Sequence, residues 1–87
     1  MDRSDEHSET VGELVKRCRE ERWWYQNDTA QRLMISTRYL QYIEAGERVP
    51  GPMTMYQIGK VFDIPDWRLR EALEASRAER RRRKQEQ

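Results

Sequence analysis

Thr37, Arg38, Gln41 and Tyr42 are spaced so that, on a helix, they share one face, while Leu40 and Ile43 point the opposite way. That face is polar but hardly charged, in a chain of which 38% is Asp, Glu, Lys or Arg. A plain solvent-facing helix would be expected to carry Glu/Lys pairs there. These residue types suit a different task. Arginine reads guanine O6 and N7, glutamine reads adenine N6 and N7, and threonine can touch the thymine methyl. The chemistry they point to is hydrogen-bond readout of base edges in a major groove, with no bond made or broken. Covalent chemistry has little to work with. One cysteine and one histidine cannot build a disulfide framework and fall short of a zinc ligand set. Cys18 sits on the apolar side of its helix, where a small core residue is expected rather than a nucleophile. There is no carboxylate pair in a plausible cleft and no Gly-rich phosphate loop. No enzyme activity, catalytic residue, metal or cofactor is expected.

The elements that must position this face follow from periodicity. Residues 1–9 lack apolar periodicity and are expected to form a disordered acidic leader. Val11, Leu14, Val15 and Cys18 then recur at helical spacing, predicting a helix to about Arg22, with Thr10 and Glu13 as its capping box. Asn27 and Asp28 favour a second helix starting at Gln26 or Asn27 and ending at Leu33, with Ala30 and Leu33 inward. Met34-Ile35 is a short connector, Ser36 an N-cap, and Thr37–Ala45 a third helix that ends at Gly46. A loop from Glu47 to Pro52 leads to a fourth helix, Met53–Phe62, burying Met55, Ile58 and Phe62 and partly covering Tyr56. Gly59 within it costs roughly 1 kcal/mol against alanine and suggests close approach of another helix. Asp63-Ile64-Pro65 breaks the helix, and Asp66 caps a fifth. The stripe of that last helix, Trp67, Leu69, Ala72, Leu73 and Ser76, fades beyond Ala78. No strand pattern appears. The expected fold is an all-α bundle of five helices with short connections. Residues 10–65 form its core domain, 66–78 a C-terminal helix and 79–87 a basic tail.

A net charge of +1 conceals a gradient. Residues 1–10 sum to −3, residues 11–76 to zero, and the stretch from Arg77 to +4. Such a basic block either meets nucleic acid or another acidic surface, or trails in solvent. Apolar runs reach only three residues, as in Leu33 to Ile35, against the roughly 20 a bilayer requires. With a mean hydropathy of −1.18 and no secretory h-region, a cytoplasmic location without membrane association is expected.

At this point the residues resemble the Xre/Cro-type helix-turn-helix of bacterial and phage repressors. Gly12, Val15, Cys18 and Arg19 match its first helix, Tyr25-Gln26-Asn27-Asp28-Thr29-Ala30 the start of its second, and Ile35 to Gly46, followed by Pro50, its third. The later apolar series falls on Met55, Ile58, Gly59, Phe62 and Ile64, so the likeness covers about residues 11–64 in one register. Trp23, Tyr25 and Met34 depart from the pattern, standing where Gly, Ser and Gly are usual. A left-handed backbone at Met34 would cost of order 1 kcal/mol.

The resemblance implies a lambda-repressor-like bundle containing a helix-turn-helix, in a bacterial or phage protein at the nucleoid. It implies contact with double-stranded DNA through Gln26, Asn27, Ser36, Thr37, Arg38, Gln41, Tyr42 and Arg48, with Gln26 and Arg48 on the backbone. It also implies an internal ion pair, Arg19 with Glu44. One recognition helix reads about four base pairs, so a homodimer on an inverted repeat is expected. Trp67, Leu69 and Leu73 of the fifth helix are its expected dimerisation residues. The function implied is a sequence-specific transcriptional regulator, a repressor.

Two alternatives remain. The first is a protein-interaction module of the cytoskeletal-adaptor kind, which the Ile35, Tyr39, Leu40, Ile43, Glu44 run also resembles. The second is an antitoxin binding both DNA and a toxin. Trp23, Tyr25 and Tyr39 would offer the aromatic surface for such a protein partner, and aromatics are enriched at interfaces. With Tyr42, these side chains either make that surface or fold back onto the small core.

Overall fold

The computed structural model describes residues 8–86, all of whose regular structure is helical: α1 (Val11–Glu21), α2 (Gln26–Leu33), α3 (Thr37–Glu44), α4 (Pro52–Phe62) and α5 (Asp66–Glu86). Most of the expected acidic leader, residues 1–7, lies outside the described residues. Glu9, at its end, is placed between two guanidiniums, accepting from Arg17 Nε at 2.8 Å and from Arg68 Nη2 at 2.5 Å.

α1 starts where a full capping box satisfies its orphan amides. The Glu13 amide donates to Thr10 Oγ1 at 3.2 Å, and the Thr10 amide donates to Glu13 Oε1 at 3.0 Å. Val11, Leu14, Val15 and Cys18 face inward and join Ala30, Leu33, Leu40, Ile43, Met55, Ile58, Phe62, Leu69 and Ala72 in one core. Burial pushes the Cys18 thiol pKa up, so it stays protonated at neutral pH. Gly12 is required for packing: a Cβ there would lie 2.1 Å from the Ile43 carbonyl oxygen, so α1 crosses α3 backbone to backbone.

Three non-glycine residues adopt left-handed backbone: Trp23 (φ 59°), Met34 (φ 62°) and Asp63 (φ 57°). Trp23 and Met34 are two of the positions where the resemblance has Gly. The Met34 side chain is 77% exposed, and its only polar contact among the described residues is a 3.7 Å hydrogen bond from Gln57 Nε2 to Sδ. Removing it therefore sacrifices little packing. Met34→Gly is expected to stabilise the domain by up to about 1 kcal/mol by relieving the left-handed strain, raising the melting temperature by up to roughly 4–8 °C. Thermal denaturation followed by circular dichroism checks this, and a lower melting temperature would refute it.

α4 begins one residue earlier than expected because Pro52 occupies its first turn, where the missing amide proton costs nothing. Tyr56, expected to be partly covered, is 61% exposed. α5 packs closely on α4: a Cβ at Gly59 would come 2.7 Å from Leu69 Cδ1. Leu69 is accordingly a core residue, 8% exposed, packed on α4 of its own chain while also lining the open groove between α4 and α5. Leu73 is half-buried against the core, while Trp67 is exposed.

α5 also differs at both ends. Asp66 is its first helical residue rather than a cap, and the helix continues past Ala78 through the basic tail to Glu86. The tail is built from strong helix formers, and Glu79 pairs with Arg82 and Arg83 one turn on. Midway, the buried Ser76 Oγ accepts the Val11 amide at 2.9 Å, so α5 satisfies a free amide of α1.

Candidate nucleic-acid interface

The connection from α2 to α3 is a tight turn. The Ile35 amide donates to the Ala30 carbonyl at 3.0 Å, and Met34 in the left-handed region reverses the chain. Ser36 then caps α3, its Oγ accepting from the Tyr39 amide at 3.0 Å. That cap uses one lone pair of the exposed Ser36 hydroxyl and leaves its proton free to donate on the side where DNA contact is expected. Asn27, in the first turn of α2, is exposed.

With Leu40 and Ile43 buried, α3 turns Arg38 and Gln41 fully outward and leaves Thr37 and Tyr42 half-exposed beside them. Arg38 Nη1 donates to Tyr42 Oη at 3.4 Å, and the Arg48 guanidinium lies 5.5 Å from the centre of the same ring. The Glu47 and Arg48 amides both donate to the Tyr42 carbonyl, which folds the loop after α3 back along the helix. Arg38, Tyr42 and Arg48 therefore form one row from the start of α3 into the following loop.

Behind the face lies a relay of charge-assisted bonds. Arg19 pairs with Glu44 through both carboxylate oxygens, at 2.8 and 2.9 Å, and donates to the Trp24 carbonyl at 3.1 Å. The two side chains are only 12% and 5% exposed. The Glu44 hydrogen bonds hold the Arg19 guanidinium pKa above its ordinary value. Gln26 Nε2 donates to Glu44 Oε1 at 3.1 Å, and Gln41 Nε2 donates to Gln26 Oε1 at 3.3 Å. Gln26 thus joins the internal ion pair to the outer face. Its amide is turned toward Glu44 and Gln41, a placement that helix periodicity does not reveal.

The aromatic residues divide. Trp24 packs against Phe62 with ring centroids 5.8 Å apart, and Arg32 lies 4.0 Å over its ring. Tyr39 is half-buried against the core. Trp23 and Tyr25 stay out, 91% and 76% exposed. Sequence reasoning also missed Arg80 and Arg83, which reach carbonyls in the loop after α3. The stripe of Leu69, Ala72, Leu73 and Ser76 does continue onto Arg80 and Arg83 at four- and three-residue spacing, but an apolar pattern cannot register arginines.

A helix-turn-helix family model matches residues 15–66, more than half of the 87-residue chain. Searches of curated proteins and of solved structures return no match. The matched span runs from α1 to the start of α5 and contains Arg19, Gln26, the polar face of α3 and Arg48. The chain belongs to the Xre/lambda-repressor-like helix-turn-helix family of DNA-binding regulators.

Proposed function

We propose that the protein is a sequence-specific transcriptional repressor that binds an inverted-repeat operator as a homodimer at the bacterial or phage nucleoid. The observation that carries this reading is the outer face of α3. Arg38 and Gln41 stand exposed on a helix whose back is tied down through Gln26 and Glu44, so Gln41 is held in place before any partner arrives, while Arg38 reaches only Tyr42 Oη among the described residues. Thr37 and Tyr42 complete the base-facing set. Asn27 and Arg48 flank it within reach of the two backbones.

A dimer contact is supported by an open groove of about 710 Å³ between α4 and α5, floored by Met55, Tyr56, Ile64 and Leu73. Its rim carries both signs, Lys60 and Arg70 with Asp63 and Asp66, as a two-fold, self-complementary contact needs. Trp67 stands exposed on the neighbouring surface of α5.

Selection of bound sequences from a random duplex pool tests the proposal. Enrichment of a palindrome whose half-sites are centred about one helical turn apart is expected. An unenriched pool would sink it.

A second reading rests on Trp23 and Tyr25, whose exposure suits a protein partner, as in an antitoxin or an adaptor module. No helix among the described residues is long and apolar enough to cross a membrane.

A further inference from the structure

We propose that the last turns of α5 form a second clamp on the phosphate backbone of duplex DNA, locked beside Arg48 by Arg80 and Arg83 and presenting Arg77, Arg81 and Lys84. The proposal rests on the DNA-binding reading above and adds to it a surface outside the helix-turn-helix.

Three observations converge on it. First, the end of the helix is anchored. Arg80 Nη1 donates to the Glu47 carbonyl at 2.8 Å and Arg83 Nη1 to the Gly46 carbonyl at 3.2 Å. These carbonyls lie just past the C-terminus of α3, the negative end of its dipole, where cations are favoured. Arg48, Arg80 and Arg83 line one pocket of about 160 Å³, and Lys84 joins Arg80, Arg83 and Glu47 around the next. The basic end of α5 is therefore continuous with the loop that carries Arg48.

Second, the cations not used in anchoring are aligned. Arg77, Arg81 and Lys84 follow one another at four- and three-residue spacing, on one face of the helix. All three are exposed and form no ion pair or hydrogen bond among the described residues, Arg77 standing at the edge of the groove between α4 and α5 and Arg81 and Lys84 beyond it. Like charges one turn apart on a helix repel, and a polyanion relieves that repulsion. Seven residues of helix rise about 10 Å, a length of duplex axis over which one strand carries roughly three phosphates.

Third, charge complementarity favours this partner. The rest of the chain is neutral or acidic in sum, with a net zero over residues 11–76, so the stretch from Arg77 holds the excess positive charge that a backbone needs. Continuity with Arg48, and through Tyr42 with Arg38, favours DNA among anionic surfaces.

The test measures affinity of the full chain for its selected duplex across a salt series. Wild type is compared with Arg81→Ala/Lys84→Ala and with Lys16→Ala, an exposed α1 residue, as control. The double variant is expected to retain its helical circular dichroism and its preference for the selected site over a scrambled one. The slope of log K against log salt should become shallower by about 0.9 for each phosphate that a protomer no longer neutralises, whereas Lys16→Ala should leave it unchanged. An unchanged slope in the double variant overturns the clamp and leaves the DNA-binding reading standing. Absence of wild-type binding to any duplex overturns both. Sedimentation of wild type with phosphatidylserine vesicles, together with an unchanged DNA slope, would assign the stripe to a lipid surface instead.

Discussion

Arg38→Ala is expected to abolish discrimination between the operator and a scrambled duplex while leaving the fold intact. The side chain is exposed on the first turn of α3, and its one polar contact among the described residues is the 3.4 Å bond to Tyr42 Oη. Removing it therefore costs little stability, and circular dichroism should be unchanged. A bidentate arginine–guanine pair is worth about 1–3 kcal/mol of discrimination, or about 5- to 150-fold per half-site. A dimer loses this at both half-sites. Arg38→Lys separates charge from geometry: it retains attraction to phosphate but not the two-pronged match to guanine O6 and N7. Lysine should therefore rescue non-specific affinity without restoring preference. Competition between labelled operator and unlabelled scrambled duplex reads the ratio directly. If Arg38→Ala kept the wild-type ratio, specificity would lie elsewhere on the molecule.

Glu44→Ala carries the largest expected loss of stability. It strips the Arg19 guanidinium, 12% exposed, of both carboxylate bonds and leaves only the Trp24 carbonyl as a polar partner among the described residues. Breaking a buried pair on one side typically costs 3–5 kcal/mol, a large share of the roughly 5–15 kcal/mol that holds a domain folded. The melting temperature should fall by about 12 °C or more. Replacing both partners, as in Arg19→Met/Glu44→Leu, should recover much of this, because no uncompensated charge is then buried. Even so, the double variant should bind operator more weakly than wild type, since Gln26 has lost its carboxylate anchor and Gln41 is no longer held through it. Urea denaturation of the two variants beside wild type separates the effects. A cost below about 1 kcal/mol for Glu44→Ala would place the pair among ordinary surface ion pairs.

Much of the scaffold was legible because its determinants are local. Thr10 and Glu13 lie within one turn of each other, and the capping box they predict forms. Gly46 takes the left-handed backbone (φ 79°) that its place at the end of α3 suggests. Gly59 marks the close approach of α5 that its position inside α4 implies. Leu69 shows where such reasoning stops. Its apolar stripe says that it must be covered, but whether α4 or a second copy covers it depends on how the helices cross. The tail shows a similar limit: the apolar stripe ends the expected helix near Ala78, whereas α5 runs on to Glu86 with Arg80 and Arg83 reaching two carbonyls of the loop after α3.

By itself, then, the sequence determined five helices up to the basic end of α5, the caps at Thr10 and Ser36, the inward stripes and the polar outer face of α3, all of which depend on spacings of three or four residues along one chain. Tertiary structure alone decided what joins residues far apart: Ser76 with the Val11 amide, Gln26 between Glu44 and Gln41, and the basic end of α5 against the loop that holds Arg48. Periodicity records which side of a helix is buried. Only the packing of whole helices sets which distant donor meets which acceptor, because that choice depends on crossing angles that no short stretch of sequence contains.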